Sequence, residues 1–200
     1  MENTVVNSNI NNSDNGNGGG KIFPLLREIL EVVVISLLIV VPIRYFLVQP
    51  FFVKGASMEP NFKDGEYLIV DEISYRLGEP KRGDVIVFKY PLDPSQYYIK
   101  RIVGLPKETV EIKDGKITIF NNLYPDGLIL NEAYLPQGLA TNSNAEARLG
   151  SKEYFVLGDN RTSSFDSRRW GTLSRENIIG RAALRAWPFA SAQLIFAPNY

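Results

Sequence analysis

Between Val32 and Val41 the chain runs Val-Val-Val-Ile-Ser-Leu-Leu-Ile-Val-Val, apolar on every face. A helix with no polar face is buried, either in a large core or in lipid. The uncharged stretch from Glu31 to Arg44 holds 12 residues, about 18 Å of helix, short against a bilayer core of about 30 Å. Extended over 25–48 it reaches 24 residues and roughly 36 Å, which suffices. The extension carries Arg27, Glu28 and Glu31 at one end and Arg44 at the other. End charges can snorkel to the interface, and Tyr45 and Phe46 suit the interfacial belt. A cleavable signal peptide would need small residues after the run, but Pro42-Ile43-Arg44-Tyr45 follows. A core helix is the other alternative. The segment reads as an uncleaved transmembrane anchor over 25–48. Lys21 and Arg27 on one side and Arg44 and Lys54 on the other leave its orientation undecided.

Before the anchor, residues 1–20 contain seven Asn and four Gly and no aromatic, Lys or Arg. Such a segment buries too little apolar surface to offset its chain entropy and reads as a disordered tail. After the anchor, over 49–200, the pattern is β. Strand candidates are Phe51–Val53, Glu66–Val70, Asp84–Lys89, Tyr97–Val103, Glu153–Leu157 and the apolar part of 178–188. Thr109–Lys113 and Lys116–Phe120 flank Asp114-Gly115, the strongest short hairpin signal. Ser74–Leu77 is a short helix candidate. Residues 121–152 are turn-rich and read as a loop or small subdomain. The expected fold class is mostly β, with one N-terminal transmembrane helix.

Composition restricts the chemistry. The chain has no histidine and no cysteine, and its 22 basic and 22 acidic residues cancel. A disulfide, a thiolate nucleophile, a Cys or His zinc site and a Ser-His-Asp triad are all impossible. Nucleic acid is not an expected partner without a clustered basic excess. A base working near neutral pH must be a carboxylate, a lysine or a tyrosine. Lys100 is the lysine of interest. On a strand it shares a face with Tyr98 and Ile102, and an amine on an apolar face loses its proton more readily. Gly55-Ala56-Ser57-Met58-Glu59-Pro60 offers a serine on a tight turn, whose backbone N–H suits an oxyanion. The block from Gly158 to Gly171 packs two Asp, one Asn and three Arg directly after an apolar strand. Taken singly, each has a plainer reading: a snorkelling lysine, an ordinary turn, a polar loop held by local Asp–Arg pairs.

Together, and in this order, they resemble one family, the type I signal peptidases in their Ser-Lys branch. The resemblance covers nearly the whole chain after residue 25. It runs from the apolar segment through Arg44 and Gln49-Pro50-Phe51 to Ser57-Met58-Glu59-Pro60. It continues through Lys81-Arg82-Gly83-Asp84-Val85-Ile86-Val87-Phe88 and Tyr98-Ile99-Lys100-Arg101-Ile102-Val103-Gly104-Leu105-Pro106 to the block at 158–171. It implies a signal-peptidase-like antiparallel β fold and an endopeptidase that cuts signal peptides from exported preproteins after small residues. It implies Ser57 as nucleophile and Lys100 as base, a pairing that needs no histidine. Ser164 would orient the lysine amine. Asp159, Asp166, Arg168 and Arg101 would be the supporting scaffold. The Ser57 N–H would be an oxyanion donor, and Val53, Met58 and Ile99 would line the substrate pocket. No cofactor or metal is implied. The partners would be preprotein signal peptides and the lipid bilayer, with the catalytic domain on the extracytoplasmic side of a plasma or thylakoid membrane.

The chain also departs from the family pattern. Gly55 stands where some members carry a second oxyanion hydroxyl, Asn61-Phe62 replaces Thr-Leu, and Lys107-Glu108 replaces Gly-Asp. These changes are expected to alter packing and to leave the dyad. Self-cleaving Ser-Lys repressors share such a dyad, but carry a DNA-binding N-terminus where this chain has an Asn-rich tail and an apolar helix. A tethered, non-enzymatic binding domain would have no need of Ser57, Lys100 and Ser164 together.

Overall fold

A computed structural model describes residues 22–42, 48–139, 141, 143–198 and 200. The expected tail over 1–20 and the interfacial Arg44, Tyr45 and Phe46 lie outside the described residues. The chain divides into a first unit ending at Pro42 and a second from Ile43 to Tyr200.

The first unit contains helix α1, Ile22–Pro42. Pro24 falls in its first turn, where the missing N–H has no helical partner to lose. The helix is shorter at its C-terminal end than the expected 25–48. Its described residues end at Pro42, and Val48, the last residue of the expected span, already belongs to a strand. Side chains from Phe23 to Val41 are exposed all round. Arg27, Glu28 and Glu31 fall inside it, and among the described residues no helix is long and apolar enough to cross a membrane.

The second unit is built on two antiparallel sheets. The larger has the order β1 (Val48–Phe52), β2 (Tyr67–Asp71), β11 (Ile178–Trp187), β3 (Val85–Tyr90), β4 (Asp93–Gly104), β9 (Glu153–Leu157) and β10 (Leu173–Ser174), with β12 (Gln193–Leu194) on β11. The smaller has the order β7 (Leu128–Ile129), β6 (Lys116–Phe120), β5 (Thr109–Lys113) and β8 (Ala145–Arg148). Helix α2 is the expected Ser74–Leu77, and α3, Ser167–Trp170, is a further single turn. The β5–β6 turn is as the sequence predicts: Asp114 and Gly115 have φ of 50° and 77°, the left-handed pair a two-residue hairpin requires.

Residues 121–152 supply the two edge strands of the smaller sheet. Their strands are short and half exposed, in the patterns of β7 and β8, so no apolar run marks them. Packing between the sheets centres on Val103, Val110, Ile119, Phe155 and Leu157. Gly104 allows this approach: a Cβ there would lie 2.8 Å from Leu149 and 3.0 Å from Phe155. Alternation along β4 distributes its side chains among the cores. Ile99 joins Val53 and Met58, Ile102 joins Ile86 and Phe88, and Val103 enters the inter-sheet core.

Candidate active site

Three segments meet at one end of β4. The first is the turn after β1 that carries Ser57. Gly55 there has φ of +88°, a conformation that side chains other than glycine's rarely adopt, and its N–H donates to Asp64 Oδ1 over 2.6 Å. The glycine that costs the chain a hydroxyl is therefore demanded by the turn. The second segment is β4 itself, which pairs Lys100 with Ile86 of β3 and Arg101 with Leu157 of β9. The third is the loop that leaves β9 at Gly158. It is tied back to the first segment, because Asn160 N–H donates to the Ser57 carbonyl and Asn160 Nδ2 to that of Ala56.

Lys100 is 4% exposed, and its Nζ donates to Ser57 Oγ over 2.7 Å and to the Ile99 carbonyl over 2.8 Å. Burial pushes its pKa down to about 8, against the opposing charges of Asp166 and Asp159. About a fifth of the amine is thus neutral at about pH 7.4, against roughly a thousandth for a free lysine, within contact of a serine hydroxyl. No hydrogen bond among the described residues uses the Ser57 N–H.

The scaffold residues are brought together as two buried ion pairs. Arg101 clamps Asp159 through Nε (2.8 Å) and Nη2 (2.6 Å) and donates from Nη1 to the Gly83 carbonyl. Arg168 clamps Asp166 with two contacts of 2.8 Å, while Asp166 also accepts from the Gly158 N–H. Burial raises the pKa of the Asp166 carboxyl, but these donors outweigh it and hold the group below its ordinary range. The Asp166 carboxylate therefore remains charged, and the two arginines hold both carboxylates in place. Breaking such a pair on one side costs more than a surface bridge.

Two expectations need correction. No hydrogen bond joins Ser164 to the lysine amine: Lys100 uses Ser57 and Ile99, and the buried Ser164 Oγ lies beside the Asp166 carboxyl. Ser164 is nevertheless at the site. A Cβ on Gly158 would overlap both Ser164 Oγ and the Ser57 carbonyl. The second correction concerns the pocket. Ile99 lines the cavity at Ser57, but Val53 and Met58 do not; at 0% and 1% exposure they pack behind it with Phe62, Leu68 and Val85. Strand and turn geometry direct them inward.

Other residues of the site carry no signal that spacing reveals. Arg161 reaches Glu132 and Thr141 and donates to the Gly158 carbonyl and to Tyr134 OH. Glu132 and Tyr134 belong to the weakly patterned region, and Tyr134 also stacks under the Arg101 guanidinium at 4.3 Å. Asn61 donates to Asp159 Oδ2 over 2.9 Å, so this departure from the family pattern takes part in the scaffold. Among the described residues no group of His, Cys, Asp or Glu could hold a metal ion.

A family model described as signal peptidase, peptidase S26, matches residues 26–187. The chain belongs to this family. It is therefore a hydrolase of the signal peptidase I type, a serine protease. A signal peptidase I of Leptolyngbya laminosa is 36% identical over 82% of this chain and 80% of its own length. Probable signal peptidase I-2 of Synechocystis is 34% identical over 84% and 76%. Signal peptidase IB of Staphylococcus aureus is 32% identical over 86% and 97%. A solved signal peptidase I from Enterococcus faecalis V583 is 30% identical, with a TM-score of 0.44 over 52% of this chain and 97% of that one.

Proposed function

We propose that the chain is a membrane-anchored serine endopeptidase that removes N-terminal signal peptides from exported preproteins with a Ser57–Lys100 dyad. The observation that carries this reading is the 2.7 Å contact between Ser57 Oγ and a buried amine whose pKa is about 8. With the amine neutral, the contact runs from the serine O–H to the nitrogen lone pair. Ser57 Oγ then attacks the scissile carbonyl as Lys100 takes its proton. The oxyanion that forms is met by the Ser57 N–H. Lys100, now an ammonium, returns the proton to the departing amine. Water hydrolyses the resulting ester by the same base, restoring Ser57. Asp159, Asp166, Arg101 and Arg168 act by holding the loop and strand in register. Ser164 fills the space beside Gly158.

The substrate carries small residues at the first and third positions before the cut, as the family resemblance implies; Gly55, Ala56 and Ile99 line the cavity beside Ser57. The anchor reading is supported by the uncharged run Val32–Val41 within α1. It is supported too by apolar side chains exposed on all its faces. Arg27, Glu28 and Glu31 occupy its first half, where long side chains reach the headgroups. A catalytic domain tethered on the extracytoplasmic surface meets substrates already held in the same layer. Ser57→Ala and Lys100→Ala are each expected to abolish preprotein cleavage while circular dichroism stays that of the parent. Cleavage at the parental rate by either variant would remove the dyad.

A further inference from the structure

The cavity at Ser57 has a volume of about 550 Å³. Its walls are aromatic, with Phe51, Phe52, Tyr97 and Phe165, and no carboxylate lines it. Two amines do. Lys100 is buried and committed to Ser57 and Ile99. Lys54 is exposed and forms no ion pair among the described residues. Asp64, which faces the same turn, accepts from the Gly55 N–H and makes no bridge to Lys54. Once Lys100 is neutral, Lys54 is the one charged side chain among the described residues that line the cavity.

We infer that Lys54 is a specificity-determining residue: it favours substrates carrying an acidic side chain near the scissile bond and disfavours those carrying a basic one. The inference rests on the peptidase reading above. Lys54 lies three residues from Ser57, at most roughly 10 Å along an extended chain. The charge it meets is therefore within about five residues of the bond. Small side chains are demanded at two positions there, so the discrimination falls on the others. An extended substrate turns alternate side chains outward, and an exposed ammonium can reach those. A partly solvated pair is weak, so the effect is a graded preference among substrates and is sensitive to salt.

The test uses the full chain in detergent and a neutral parent peptide with small residues at the first and third positions. Asp, Asn or Lys is placed in turn at each remaining position within five residues of the bond, and kcat/KM is measured. At one position or more, the Asp peptide is expected to be cut about three- to tenfold more efficiently than the Lys peptide. The ratio is expected to approach one in Lys54→Met, to invert in Lys54→Glu, and to shrink in 0.5 M salt. Because the ratio is taken within each variant, a change in overall activity does not affect it. Equal cutting of all charges by the parent enzyme, or an unchanged ratio in Lys54→Glu, overturns the inference and leaves the peptidase reading standing. Failure to cut even the neutral peptide removes the peptidase reading, and this inference with it.

Discussion

Replacing Lys100 by methionine is expected to stabilise the protein as it kills it. The reasoning starts from burial. A free lysine titrates at 10.5, and in the folded chain Lys100 titrates at about 8. At about 1.4 kcal/mol per tenfold, keeping the charged form folded costs roughly 3 kcal/mol. Below about pH 8 the folded and unfolded chains both carry the proton, and the full cost is present. Between pH 8 and 10.5 the unfolded chain binds more protons than the folded one, so stability rises with pH. Above 10.5 both forms are neutral and the cost is gone. Methionine has a similar length, no charge and nothing to titrate. Lys100→Met should therefore exceed the parent by roughly 3 kcal/mol at pH 6.5, offset by the lost contact to Ser57. Urea unfolding of the full chain in detergent, followed by the fluorescence of Trp170 and Trp187, measures it at pH 6.5 and 10.5. Titrations elsewhere are common to both proteins and cancel in the difference. The gap should narrow between these two pH values to a pH-independent remainder. A gap of constant size would mean that the amine is not desolvated, and the neutral-base argument would fail with it.

Two further outcomes follow from the same geometry. In the parent enzyme kcat/KM should rise with pH through an apparent pKa near 8, because only the neutral amine accepts the serine proton; a rise centred near 10.5 in the pH–rate profile would contradict the burial argument. Gly158→Ala should lower kcat about tenfold or more and destabilise the fold by about 1–3 kcal/mol, since its methyl group has to displace Ser164 or the Ser57 backbone; steady-state kinetics with thermal unfolding would show whether that space is as tight as the structure has it.

Much of this protein is written locally. The hairpin at Asp114-Gly115 is readable because both turn residues must adopt positive φ, and few residue pairs do so at low cost. The strands through Val85–Tyr90 and Glu153–Leu157 are apolar runs that can only be buried. The absence of histidine and cysteine left lysine among the few possible bases, and alternation along β4 placed Lys100 beside Tyr98 and Ile102. These are properties of neighbours in the chain, and neighbour relations survive without a fold.

What the tertiary structure alone decided are relations between distant residues. Glu132 reaches Arg161 across 29 positions and Asn61 reaches Asp159 across 98, and no period or spacing announces either. The pocket residues Val53 and Met58 were assigned by resemblance, but whether a side chain faces a cavity or the core depends on how β1 and its turn lie against the rest of the sheet. Ser164 is where the block predicts, yet no hydrogen bond joins its hydroxyl to the amine, because a hydrogen bond needs a distance and not a motif. The identity of the base could be read from the sequence. Its strength could not, since a lysine becomes a base near neutral pH only when the fold removes water from around it.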